Sequence, residues 1–238
     1  MGLFEYFDRT RIVNLAFRDD RRVETEEEFA RYGFPIQANG VQFFEASSPN
    51  EAAGFPSPGV RGCFLSHQRI IEEALASDAP NILILEDDIC FSSRIAELEA
   101  SIVDELKKLD WDIVYFGHSL PIDSGVPRWE KLTKPTIQSH FYAINGKTLK
   151  EFSGFLERMS LRPAGHPDGG PMHYDGALNT FREQSPDISV YYYTLNLGYQ
   201  RPSKTDLHQT PIFDRYKVFL PFTRIARKLK TMFMRMTR

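Results

Sequence analysis

Ile82-Leu83-Ile84-Leu85-Glu86-Asp87-Asp88-Ile89 is the stretch that decides how this chain is read. A continuous apolar run of strand length, without polar alternation, suits a strand buried on both faces of a parallel sheet. It runs directly into three carboxylates. Ligands of open α/β sheets bind beyond the carboxyl ends of the strands, so the acids stand where a ligand would. Three negative charges this close repel one another and destabilise the fold unless a cation sits among them. Carboxylate oxygens suit hard cations, Mn²⁺ or Mg²⁺, which keep positions open for phosphate oxygens. A solvated acidic turn is the plainer alternative for the same residues.

Strand and helix patterns alternate on both sides of this run. Arg11 to Leu15 and Val41 to Glu45 read as strands, and the charged stretch Asp19 to Tyr32 reads as a helix between them. Ser47 to Gly59 holds Pro49, Pro56 and Pro58 and reads as a loop. Gly62 to Ala76 follows as a helix, with Leu65, Ile70, Ile71, Ala74 and Leu75 at mostly helical spacing. Beyond the acids, Ile95, Leu98, Ile102, Leu106 and Leu109 form a helical stripe. Asp112 to Phe116 and Phe141 to Ile144 read as strands, Gly146 to Met159 as a helix, and Leu161 to Pro171 as a Pro/Gly-rich loop. The alternation predicts an α/β layered sheet.

The composition sets bounds on this reading. At 238 residues, with 42% hydrophobic and 26% charged residues, the chain is long enough for one domain with a substantial core and is not globally disordered. Aromatics reach 13%, mostly phenylalanine, which points to a phenylalanine-rich core ahead of sugar-binding faces. Two cysteines, Cys63 and Cys90, without CxxC or zinc-finger spacing, suggest a reducing compartment. Met1 to Glu5 has no basic and apolar leader pattern, and no apolar run is long enough to span a bilayer.

The net charge of −3 conceals an asymmetry. Lys217 to Arg238 holds seven basic residues and no acid, leaving 22 of the 29 basic residues and all 32 acids in the rest. An acidic body with a basic tail argues against nucleic acid as partner. The division expected is a catalytic domain over 1–216 and a basic amphipathic segment over 217–238. Phe222, Ile225, Leu229, Met232, Phe233 and Met236 gather on one face of a helical wheel, with Pro221 in the first turn. Such a helix lies on an anionic membrane surface or packs on the domain.

Two further stretches carry candidate chemistry. Asn14-Leu15-Ala16-Phe17-Arg18-Asp19-Asp20-Arg21-Arg22 runs past the first strand, where guanidinium groups can hold phosphate through paired hydrogen bonds. A solvated helix start is the alternative there. Gly62-Cys63-Phe64-Leu65-Ser66-His67 could line a nucleotide pocket, or His67 could be a hydrogen-bonded, half-buried histidine. Ser66 and His67 are adjacent on a helix and do not make a triad.

In that order, Arg18 to Arg22, Gly62 to His67 and Ile84 to Asp88 resemble glycosyltransferase family 25, which includes bacterial lipooligosaccharide galactosyltransferases and animal collagen galactosyltransferases. The resemblance runs more weakly through Trp111-Asp112-Ile113-Val114, His140 to Ile144 and Tyr174 to Leu178, and ends near Gln200 to Leu207, so it spans roughly residues 10 to 210. It implies a GT-A-type α/β fold with a mostly parallel central sheet flanked by helices. It also implies a metal-bound nucleotide-sugar donor and inversion at the anomeric carbon. Val60-Arg61 stands where family members often carry an acid, and Glu86 where an aspartate would complete the commonest metal motif.

The expected sites follow. Glu86 and Asp88, with His208, are the candidate ligands for Mn²⁺ or Mg²⁺. Asn14, Arg18, Arg21, Ser66, His67 and Asp87 are the candidate donor-binding residues. Asp175 is the candidate general base, with Asp123 and Asp168 in reserve; the plainer reading of Asp175 is an N-cap of a helix from Gly176 to Phe181. The expected activity is transfer of a hexose, galactose first, from a UDP-linked donor to a glycan or lipid-linked glycan acceptor in bacterial surface polysaccharide synthesis. The expected place is the cytoplasm, on the inner face of the membrane. Rival readings are a non-catalytic sugar-binding or nucleotide-binding protein of the same fold, and a metal-dependent nucleotidyltransferase. The missing GxxxxGK[ST] loop counts against phosphoryl-transfer chemistry.

Overall fold

A computed structural model describes residues 1–38, 40–121 and 125–201. In chain order the elements are α1 (Leu3–Tyr6), β1 (Arg9–Asn14), α2 (Asp19–Arg31), β2 (Val41–Glu45), α3 (Pro58–Ala76), β3 (Asn81–Glu86), β4 (Ile89–Phe91), α4 (Ile95–Leu106), β5 (Ile113–Tyr115), β6 (Trp129–Lys131), β7 (Phe141–Asn145), α5 (Gly146–Leu161), α6 (Tyr174–Gln184), β8 (Val190–Tyr193) and β9 (Gly198–Gln200). The boundary expected at 216 lies outside the described residues.

Seven strands form the central sheet in the order β2-β1-β3-β7-β5-β8-β6. β2, β1, β3, β5 and β8 run one way; β7, between β3 and β5, and the edge strand β6 run against them. The mostly parallel, helix-flanked α/β architecture expected is therefore the one the chain adopts. The apolar run Ile82 to Leu85 lies in an interior strand, hydrogen-bonded to β1 on one side and β7 on the other.

Strand alternation divides the core in two. Ile82 and Ile84, with Ile113, Tyr115, Tyr142 and Ile144, face one cluster with residues of α3, α5 and α6. Leu83 and Leu85, with Val114, Phe141 and Ala143, face the other with residues of α1, α2 and α4. Because successive strand residues point to opposite faces, β3 feeds both clusters and has no polar position between Asn81 and Glu86 at its two ends. The second cluster is rich in phenylalanine: Phe4, Phe29, Phe34 and Phe91 meet with centroids 4.8–6.4 Å apart. Tilted and edge-on pairs of this kind each add about 0.5–1.5 kcal/mol beyond the area they bury. The phenylalanines thus serve mainly the core; Phe17, 64% exposed, is an exception.

Helix α3 begins one turn earlier than its apolar spacing suggests. Ser57 caps it, its side chain accepting from the Val60 amide at 3.1 Å, with Pro58 in the first turn. A small antiparallel sheet pairs β4 with β9, with Ile89 opposite Gln200. It carries the end of the described chain back to the acids that follow β3.

Candidate functional site

Beyond the carboxyl ends of β1, β2 and β3 lies a cavity of about 710 Å³. Leu15 and Phe17 come from the turn after β1, Ala46 to Pro49 from the loop after β2, Gly62, Cys63, Ser66 and His67 from α3, and Glu86 to Asp88 from the end of β3. Gln200 and Arg201 complete the wall.

The three acids have different surroundings, and strand parity explains the first two. Glu86 continues the Ile82–Ile84 face and meets α3; Asp87 continues the Leu83–Leu85 face and meets α2. The buried Asp87 carboxylate accepts from Arg21 NH1 at 2.7 Å and from Asn14 Nδ2 at 2.8 Å. Its main chain is held as well: the amide donates to Val13, and the carbonyl accepts from Thr25 Oγ1 at 2.6 Å and from Arg201 NH2 at 2.7 Å. Asp87 is the anchor of the acidic turn.

Glu86 and Asp88 are half-buried and hold little of this support. Glu86 Oε2 accepts from Gln200 Nε2 at 2.8 Å. Asp88 Oδ1 is buried without a hydrogen-bond partner. Burial, then the neighbouring Asp88 charge, raises the Glu86 carboxyl above its ordinary range, and burial raises Asp88, against the opposing pull of Arg21. Two carboxyls that resist ionising, one with an orphaned oxygen, suit a hard divalent cation.

The α3 wall is built by close approach. A Cβ on Gly62 would lie 2.5 Å from the Ser47 carbonyl oxygen, so only glycine lets the helix pack against this loop. Ser66 Oγ donates to the Gly62 carbonyl at 2.6 Å and accepts from the Ser47 amide at 2.8 Å. Ser66 therefore lines the cavity while fixing its wall. His67 is fully buried; its Nδ1 pairs with the Tyr142 hydroxyl at 2.9 Å, and its ring stacks on Tyr174 at 4.2 Å. Burial lowers its pKa to about 3, so the ring is neutral at physiological pH.

Several expected residues fall elsewhere. Arg18 is not in the cavity wall; its Nε donates to Asp20 at 2.8 Å. Arg21 lines the cavity but is committed to Asp87. Asp175 lies in the first turn of α6, whose N-cap position is held by His173 and not by Asp175. Its carboxylate accepts from the amides of Gln138 at 3.2 Å and Gly176 at 2.8 Å, and it is absent from the cavity wall. Asp168 sits in an exposed turn, 4.0 Å from His166. Asp123, His208 and the segment 217–238 lie outside the described residues. Gln200, Arg201, Cys63 and Phe17 were not among the expected site residues. The first two reach the wall through a strand pairing with no local signal, whereas the exposed Phe17 sits in the arginine-rich stretch already singled out.

Fold and site together define an α/β protein with a cavity at the ends of three parallel strands. Over residues 55–156, which hold α3, β3 and all three acids, the chain matches the model of glycosyltransferase family 25 (LPS biosynthesis protein). Its relatives include a human protein named inactive glycosyltransferase 25 family member 3, 30% identical over 67% of this chain and 28% of the relative. Another is the lacto-N-neotetraose biosynthesis glycosyltransferase LgtB of Neisseria meningitidis serogroup B, 26% identical over 66% of this chain and 63% of the relative. A glycosyltransferase 25 family member of Aedes aegypti is 29% identical over 44% of this chain and 20% of the relative. The chain thus matches between 20% and 63% of the length of these relatives. A solved glycosyltransferase involved in glycosylation of the major capsid of PBCV-1 is 13% identical, with a TM-score of 0.41 over 78% of this chain and 93% of that one.

Proposed function

We propose that the chain is an active, metal-dependent glycosyltransferase that transfers a hexose from a nucleotide-sugar donor to a glycan acceptor. The observation that carries this is the cavity at the ends of β1, β2 and β3, with Glu86 and Asp88 under-supported on its wall. The wall offers an exposed aromatic face at Phe17 for a nucleobase, serine hydroxyls at Ser47 and Ser48 for a ribose or sugar, and two acids for the ion that accompanies a diphosphate. Mn²⁺ or Mg²⁺ held by Glu86 and Asp88 would supply the charge that a departing nucleoside diphosphate needs. The chain's own residues do the positioning: Asp87, clamped by Arg21 and Asn14, fixes the turn that aims its two neighbours. His208 remains the proposed third ligand.

Galactose, a UDP donor, inversion and a lipooligosaccharide or other surface-glycan acceptor complete the proposal; the likeness to LgtB, named for lacto-N-neotetraose biosynthesis, supports the glycan acceptor, and the sugar, the nucleotide and inversion rest on the resemblance of the sequence motifs. Asp175 is the proposed general base, resting on the two amides that hold its carboxylate in place. The basic segment 217–238 is the proposed contact with an anionic inner membrane face, resting on its charge and apolar stripe.

The test is a screen of UDP-sugars by thermal shift, with and without Mn²⁺, followed by assay for donor hydrolysis and transfer. A Mn²⁺-dependent shift with turnover of one donor is expected. Donor binding without turnover on any acceptor would place the chain with relatives named inactive, as a binding protein of the same fold.

A further inference from the structure

A second cluster on the cavity wall has a different donor chemistry from the acids. Cys63 and His67 are four residues apart on α3 and so share one helix face. That face is turned to the end of β3. One ligand atom from each of Cys63, His67 and Glu86 lies within 4.8 Å of the other two. The independent observation is the histidine. Its ring is fully buried, Nδ1 is held by the Tyr142 hydroxyl, and Nε2 is buried without any hydrogen-bond partner.

A buried ring nitrogen left unpaired loses its hydration and gains nothing in return. A histidine with one nitrogen fixed by a hydrogen bond, its ring plane set by stacking and its other nitrogen open has the form of a metal ligand with its supporting contact in place. Tyr142 in turn is bonded to the Tyr174 hydroxyl at 2.8 Å, so the support extends over two elements. Glu86 keeps one carboxylate oxygen clear of Gln200.

We propose that Cys63, His67 and Glu86 form a binding site for a thiophilic divalent cation, Zn²⁺ first, with its fourth position open to the cavity. A sulfur, nitrogen and oxygen set with one open position is the donor chemistry of zinc. Tetrahedral bonds of about 2.0–2.3 Å place donors roughly 3.3–3.8 Å apart, so side-chain rotation of about 1 Å closes the cluster. Binding replaces the Cys63 thiol proton with the metal and releases that proton to solvent. The site shares Glu86 with the all-oxygen pair proposed for Mn²⁺ or Mg²⁺, so Zn²⁺ withdraws one ligand from the hard cation. It does not rest on the transferase reading, because binding is measured without donor or acceptor.

The experiment uses the full chain, stripped with chelator and titrated with Co²⁺ as the spectroscopic probe. Expected is a thiolate-to-cobalt charge-transfer band that Zn²⁺ displaces, that Cys90→Ser retains and that Cys63→Ser loses. His67→Gln should weaken Zn²⁺ binding by at least about tenfold, in line with loss of a ligand. In the unaltered protein, Zn²⁺ should slow alkylation of Cys63, followed by peptide mass spectrometry; this measurement stands even where Cys63→Ser does not fold. No charge-transfer band in the unaltered chain, a band that persists in Cys63→Ser, or an unchanged Cys63 alkylation rate would each overturn the proposal.

Discussion

Replacing Arg21 with alanine separates two roles for this residue. The arginine-rich stretch suggests a phosphate anchor, whose loss raises the donor KM and little else. The structure makes Arg21 the partner of a buried carboxylate: NH1 lies 2.7 Å from Asp87 Oδ1, and the two side chains are 12% and 6% exposed. Charge centres about 4 Å apart at an effective dielectric near 20 attract by about 4 kcal/mol. Removing one partner leaves Asp87 buried, with Asn14 as its remaining side-chain donor. A loss of about 3–5 kcal/mol is the usual consequence of breaking a buried pair, against about 0.2–1 kcal/mol at a surface. Urea denaturation of Arg21→Ala, Asp87→Asn and the double variant at pH 7.5 measures this. The double variant should lose clearly less than the sum of the singles, with a coupling of about 2–3 kcal/mol that changes little in added salt. A stability loss below about 1 kcal/mol, with a raised donor KM as the main effect, would refute the reasoning and return Arg21 to phosphate binding.

Three other perturbations are as specific. Asp88→Asn removes a charge that burial disfavours, so the metal-free protein should gain on the order of 1–2 kcal/mol in urea at pH 8 while its thermal response to Mn²⁺ disappears. Gly62→Ala brings a Cβ to 2.5 Å from the Ser47 carbonyl oxygen and should cost about 1–3 kcal/mol, with weaker donor binding as the loop moves off α3. Metal affinity should depend on pH with a definite sign. Asp88 and Glu86 are pushed up to about 6 and about 8, so protons compete with the ion below those values. The apparent Mn²⁺ dissociation constant, by calorimetry, should fall as pH rises from 6 to 8 and level off above; a flat profile would remove the two acids from the ligand set.

How much was legible in the sequence depended on whether a residue's partners lie nearby in the chain. Val41 to Glu45 was placed with its observed ends, because Val41, Phe43 and Phe44 are strand-favouring residues that follow Gly40. The acidic motif was placed too, because a strand buried on both faces has a composition of its own. The direction of β7 was not readable. Phe141 to Ile144 looks like any buried strand, and only its seat between β3 and β5 shows that it runs against them. The short strands β4, β6, β8 and β9 went unread, since three or four residues give too little periodicity; β5, equally short, was legible because its flanks Trp111 and Phe116 extend its apolar run. Within the site, the chemistry of each acid was visible but its partner was not. That Asp87 is clamped while Asp88 holds an unpartnered oxygen follows from the face on which each emerges, together with a helix some 60 residues away.

The pairing of β4 with β9 also bears on the biogenesis of the protein. Glu86 and its partner Gln200 are 114 residues apart in the chain. At synthesis rates of about 5–20 residues per second, the acids leave the ribosome about 6–23 s before the glutamine that completes their surroundings. Through that interval β1, β2 and β3 can already pair, but the cavity lacks one wall and the acidic turn lacks the grip of Arg201 on the Asp87 carbonyl. Any ligand of this cavity would meet its complete wall only once the β9 segment has been made, and a nascent chain stalled before residue 198 would carry the acidic motif without its finished surroundings.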